Sequence, residues 1–127
     1  MSLFQECKDA LSADINIIDD KEQSKFILNL LNEFLTSYGT INCNKLMCTD
    51  YLNIENVLNS FKDYTYKVYV VADDSDIPIF QTNLKLALEN FYDVSALSSK
   101  IFIFNENEIF FPLFPNEFIR YGLLNPK

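Results

Sequence analysis

The chain has no histidine, only two glycines and four prolines, a single arginine (Arg120), and ten basic residues against eighteen acidic ones. Each shortage excludes something. Histidine is the side chain whose unperturbed pKa lies near neutrality, so it is the usual proton shuttle and a frequent metal ligand. Without it there are no Ser/His/Asp or Cys/His catalytic sets and no histidine-based zinc site. With Gly39 and Gly122 as the only glycines, neither GxGxxG nor GxxxxGK[ST] can be written, so no phosphate-cradling loop is expected. The scarcity of glycine and proline also leaves no low-complexity linker. No Ser-x-x-Lys is present for serine/lysine chemistry, and no Asn-x-Ser/Thr acceptor occurs despite abundant asparagine. No apolar run approaches the roughly 20 residues of a membrane-spanning helix. The N-terminus, Met1 to Glu6, lacks the basic and apolar regions of a signal peptide.

Cysteine is sparse too. Cys7, Cys43 and Cys48 leave an odd thiol and form no CxxC. On a single strand, Cys43 and Cys48 would face opposite sides. The expectation is free, buried thiols in a reducing cytosol. Lys45 is the only cation near them, too little to make either a nucleophile.

What is present is a core and a charge. Hydrophobic residues make up 49% of the 127, including 12 Phe and 7 Tyr. A chain of this size buries roughly 65–70% of its unfolded surface, so one domain over residues 1–127 is expected. The formal charge of −8 repels phosphate backbones, which argues against nucleic-acid and anionic-membrane partners. It attracts basic proteins and speeds their encounter. The plainer reading is that it keeps a Phe-rich protein soluble.

Along the chain, Ser2 is placed to cap a helix carrying Phe4, Cys7 and Leu11 on one face. Asp14 to Ile18 reads as a short strand or connector. Asp20 and Gln23 make a capping-box arrangement. After them Phe26, Ile27, Leu30, Leu31, Phe34, Leu35 and Tyr38 recur at helical spacing, with Gly39 as the stop. Thr40 to Thr49 reads as loop with a possible strand. Asn53 opens a helix facing inward with Ile54, Val57, Leu58 and Phe61. Lys67 to Ala72 is a strong strand whose near-continuous apolar run implies burial on both faces. Thr82 is the candidate cap of a fourth helix with Leu84, Ala87, Leu88 and Phe91 inward. Lys100–Phe104 and Ile109–Phe114 read as a hairpin around the polar loop Asn105 to Glu108, with Pro112 ending the second strand or placing it at an edge. The tail from Pro115 is read as loose, with one helical turn near Glu117 to Tyr121. The sum is an α/β (α+β) fold: one mixed sheet of four or five strands, about four helices packed on it, and a C-terminal β-hairpin.

Two acidic clusters stand out. Asp73, Asp74 and Asp76 follow the strong strand. Their oxygens suit a hard cation, but the spacing is not an EF-hand, because Pro78 falls at the sixth position and Leu84 at the twelfth. A solvated turn or a docking patch fits better than a metal site, and no cofactor is expected. Glu106 and Glu108 fall in the hairpin loop. As paired carboxylates they lack the cleft and the unlike environments that acid–base catalysis needs. They are read as charges guarding the hairpin from aggregation or as partner contacts. Arg120, flanked by Phe118, Ile119 and Tyr121, reads as a tie between the tail and the acidic body. The aromatic string Phe102, Phe104, Phe110, Phe111 and Phe114 is mostly core, with some members available as interface anchors.

Together these features resemble a small acidic bacterial immunity protein of the contact-dependent growth inhibition type. The size, the acidity and the missing catalytic set carry the resemblance. So do the stretch from Val68 through Ala72-Asp73-Asp74 to Pro78-Ile79-Phe80, and the run from Phe111 to Pro115. The resemblance covers the C-terminal half. It implies a cytosolic, non-enzymatic protein that binds a cognate toxin domain, commonly a basic nuclease. It brings no fixed motif whose residues carry over one by one. On this reading Asp73, Asp74, Asp76, Glu106 and Glu108 form the partner-binding surface of a monomer or weak dimer. The alternatives are an adaptor module using the hairpin edge and a metal-dependent hydrolase using Asp73 to Asp76.

Overall fold

Side chains that accept backbone N–H groups start the helices. In the computed structural model, which describes residues 2–61 and 63–124, Ser2 Oγ accepts from the Gln5 amide at 3.1 Å and opens α1 (Leu3–Ala10). The Asp20 carboxylate accepts from Gln23 at 3.1 Å and opens α2 (Lys21–Asn32). Asn53 Oδ1 accepts from Asn56 at 3.0 Å ahead of α3 (Ile54–Phe61). These three starts lie where the sequence puts them.

The fourth does not. Thr82 lies inside a strand that the sequence reading missed, and Asn83 Oδ1, accepting from Leu86 at 2.9 Å, caps α4 (Leu84–Glu89). The helix breaks at Asn90, and Phe91 belongs to α5 (Phe91–Ser95).

The sheet is larger than expected and is antiparallel in every pairing, not mixed. Among the described residues it has seven strands: β1 (Asn16–Ile17), β2 (Leu46–Tyr51), β3 (Lys67–Ala72), β4 (Phe80–Asn83), β5 (Ile101–Phe104), β6 (Glu108–Pro112) and β7 (Ile119–Leu124). Their spatial order is β1-β4-β3-β5-β6-β7-β2. The α+β class holds, with five helices among the described residues.

The strand β3 has the expected bounds and lies between β4 and β5. Its residues alternate between two apolar layers. Val68 and Val70, with Ile101, Ile103, Phe110 and Ile119, pack under α1, α3, α4 and α5. Val71, with Phe102, Phe104 and Ile109, packs under α2 and the segment after it through Ile27, Leu31, Phe34 and Ile41.

Three further expectations are corrected. Helical spacing runs on to Tyr38, yet α2 stops at Asn32. The Thr36–Thr40 turn takes over, with the Thr36 amide donating to the Thr40 carbonyl at 2.7 Å and Gly39 at φ 78°. Lys45 Nζ donates to the Glu33 carbonyl at 3.1 Å and satisfies the helix end. Phe34 still reaches the core, whereas Phe26 and Tyr38 are exposed.

Within the tail, Ile119–Leu124 form β7, paired on both sides, instead of a helical turn, and residues 125–127 lie outside the described residues. A Cβ added at Gly122 would lie 2.9 Å from Leu46 Cδ1 and 3.2 Å from Ile109 Cγ2, so glycine permits the close approach of these strands.

Cys43 and Cys48 are not free buried thiols. Cys43 lies exposed in the turn before β2 and Cys48 is half-buried on that strand, and a disulfide joins them across a Cα–Cα distance of 5.6 Å. The single-strand argument failed because only one of the two is on the strand. Cys7 is buried, and burial pushes its thiol up to about 11. Among the described residues no helix is long and apolar enough to cross a membrane.

Two ion pairs fasten the edges. Lys67 Nζ meets Asp14 Oδ1 at 2.6 Å, and Asn83 Nδ2 donates to Asp14 Oδ2 at 2.9 Å. Arg120 forks onto Asp50, Nε to Oδ1 at 2.8 Å and Nη2 to Oδ2 at 2.9 Å, which ties β7 to β2 as expected of the lone arginine. These hydrogen bonds, from Lys67 and Arg120 first, hold both carboxyls below their ordinary 3.8. A lowered folded pKa adds stability that is present above the unfolded value and lost as pH falls through the folded one. The Asp14→Asn/Asp50→Asn double variant is therefore expected to be less stable than wild type at pH 7 and to approach it near pH 3. Urea midpoints at the two pH values check this; a constant gap would refute it.

Candidate functional site

Alternation along β6 decides the first feature. Phe110 points into the layer under α3, and residues two apart on a strand share a face. Glu108 therefore points to the same side, and it is 6% exposed. The hairpin loop is shorter than expected: Asn105 to Asn107 make the turn, closed by the Asn105 amide donating to the Glu108 carbonyl at 3.0 Å. Glu108 is thus the first residue of β6 and not a charge at the loop tip; only Glu106 has that exposed place.

Three neutral donors hold the Glu108 carboxylate. The Tyr66 hydroxyl donates to Oε2, Asn105 Nδ2 donates to Oε2 at 3.0 Å, and the Tyr121 hydroxyl donates to Oε1 at 2.7 Å. Tyr66 comes from the segment between α3 and β3, and Tyr121 from β7. Both belong to an aromatic cluster. Tyr66 stacks on Tyr64 at 5.7 Å, Tyr121 lies 4.9 Å from Phe110, and Phe61 touches both halves. Burial first, and then the bond to Glu108, hold the Tyr66 and Tyr121 hydroxyls well above the ordinary tyrosine value. They act as donors and not as anions.

This group borders a cleft of about 660 Å³ at one end of the sheet, lined by Tyr66, Lys67, Tyr69, Gln81, Leu123 and residues 105–108. The second acidic cluster is elsewhere. β3 runs antiparallel to β5, with Tyr69 opposite Phe104 and Ala72 opposite Ile101. The turn after β3 therefore lies beside the start of β5, and the Asp73 amide donates to the Lys100 carbonyl at 2.9 Å. Asp73, Asp74 and Asp76 are exposed there, shaped by the Asp76 amide donating to Asp74 Oδ1 at 2.9 Å. The length of β3, about 20 Å for six residues, separates them from Glu106 and Glu108. The five carboxylates expected on one surface occupy two ends of the sheet.

The Asp73 end also carries exposed aromatics. Tyr92 is 75% exposed and Phe114 72%. Both border a groove of about 300 Å³ that includes Ile54, Phe91, Ser98 and Pro112. Among the described residues no three His, Cys, Asp or Glu side chains converge as metal ligands. Sequence reasoning missed Tyr66, Tyr121 and Asn105 as partners of Glu108. The period-two step from Phe110 back to Glu108 was the available signal that this carboxylate faces inward.

The family model described as CdiI immunity protein EcoliA0-like matches residues 1–122. No curated protein matches the chain.

A raised tyrosine pKa means that the fold favours the protonated hydroxyl; the added stability is present below about pH 10 and lost as pH rises further. In an alkaline titration, the tyrosinate absorbance of the folded protein is expected to fall short of the full seven-residue amplitude until the fold is lost. Replacing Tyr121→Phe should lower only the late component. It should also cost about 1.5–3 kcal/mol in urea unfolding, the range for losing a hydrogen bond to a charged group. An unchanged late component would contradict the assignment.

Proposed function

The chain belongs to the CdiI immunity protein family, and from that premise we propose that it neutralises a cognate CdiA toxin domain by covering a basic surface of that domain. The observation that carries this reading is the family match over residues 1–122. The charge supports it: at −8 the molecule draws in a cationic partner, and a toxin domain that grips phosphate is cationic. Inhibition is by occlusion in the cytoplasm of the cell that makes the protein, with carboxylates standing where substrate phosphates would lie. No bond is made or broken.

The two acidic ends divide the work. Exposed charges change the rate of encounter far more than the lifetime of a complex. Asp73, Asp74 and Asp76 are exposed and serve mainly to steer the toxin domain. Tyr92 and Phe114 beside them add apolar contact. Glu106 and Glu108 meet the toxin domain at the cleft. Salt screens the steering over about 10 Å at 0.1 M and about 30 Å at 0.01 M.

The double reversal Asp73→Lys/Asp74→Lys should slow association on the order of tenfold at low salt, less at physiological salt. The melting temperature and the dissociation rate should stay close to wild type. Stopped-flow mixing with the cognate toxin domain at two ionic strengths measures this. An association rate unchanged at low salt would remove the turn from the binding surface.

A further inference from the structure

Glu108 is under-satisfied in two respects. An ionised carboxylate accommodates about four hydrogen bonds, and this one receives three. Among the described residues the ion pairs are Lys67–Asp14 and Arg120–Asp50, so none of those cations offsets the Glu108 charge. Burial penalises a carboxylate held only by neutral dipoles, and a matching cation relieves that penalty.

Glu108 also lines the 660 Å³ cleft. The cleft is built for a long cationic side chain. Tyr66, Tyr69 and Leu123 offer apolar and aromatic walls along which a methylene stem can lie. Glu106 stands exposed in the adjoining turn. Lys67, the cation of the cleft lining, has its ammonium engaged by both Asp14 oxygens at 2.6 and 2.7 Å, so its charge is offset locally.

We propose that this cleft receives a lysine or arginine side chain of the toxin domain, which pairs with the free acceptor position of Glu108 while Glu106 contacts it at the mouth. The inference rests on the immunity reading, which supplies the basic partner. It goes beyond electrostatic attraction by naming one inserted cation and its anchor. A desolvated charge pair governs how long a complex lasts, whereas exposed charges govern how fast it forms.

The test compares wild type and Glu108→Gln, a change that keeps the shape of the side chain but removes the charge and turns one acceptor oxygen into a donor, by surface plasmon resonance against the cognate CdiA toxin domain. Dissociation is expected to accelerate on the order of 30-fold or more, with association within about threefold of wild type. A Glu108→Gln protein that melts normally and dissociates at the wild-type rate would overturn the proposal. If that variant does not fold, hydrogen exchange on the wild-type pair decides. Slowed exchange at residues 105–108 and 121–124 in the complex supports the insertion, and unchanged exchange there overturns it. Failure of the wild-type protein to bind its toxin domain at all would overturn the immunity reading and the cleft with it. An intact complex indifferent to the cleft overturns the cleft alone.

Discussion

Val68 and Val70 leave one face of β3 and Val71 leaves the other, while Ile101 and Ile103 oppose Phe102 and Phe104 on β5. A strand apolar on both sides must be covered on both sides, and the rest of the chain meets that demand. Four helices lie over the valine and isoleucine layer, and α2 with its following turn lies over the phenylalanine layer. Burying each large side chain stabilises by roughly 1.5–3 kcal/mol, which makes these two layers the main source of stability. Polar groups are then confined to the ends and edges of the sheet.

That confinement shapes the electrostatics. A carboxylate at a turn beyond the layers, such as Asp74, stays in water. One placed a residue inside the strand, as Glu108 is, must find donors, and two tyrosine hydroxyls and an amide supply them. The same sheet end thus combines an aromatic cluster with a negative charge, the mixture from which strong protein–protein contacts are built. The opposite end pairs acidic residues with exposed Tyr92 and Phe114. Both ends are acidic and aromatic, but only one buries its charge.

Much of this was legible in the residues. A near-continuous apolar run marked β3, and capping chemistry at Ser2, Asp20 and Asn53 marked three helix starts. The single arginine was read as a tie, and it is one. What escaped depended on distant partners. Phe80 to Asn83 is too short to announce a strand, and Thr82 looked like a cap; its hydroxyl instead donates to the Asp14 carbonyl at 2.6 Å. Phe34 and Leu35 continue the helical spacing, but the Thr36 to Thr40 turn ends α2 before them. Tyr121 and Gly122 look like loose tail until β2 and β6 flank them. The two acidic clusters looked like one surface because the separation between them is set by strand register, which spacing along the chain does not carry.

The pairing of Asp50 with Arg120 joins residues 70 positions apart. β2 is made early in the chain, yet among the described residues its only strand neighbour is β7. During synthesis residues 46–51 therefore wait, with an unpaired backbone, until residues 119–124 have been made. That edge of the sheet can pair only once the most C-terminal described strand exists.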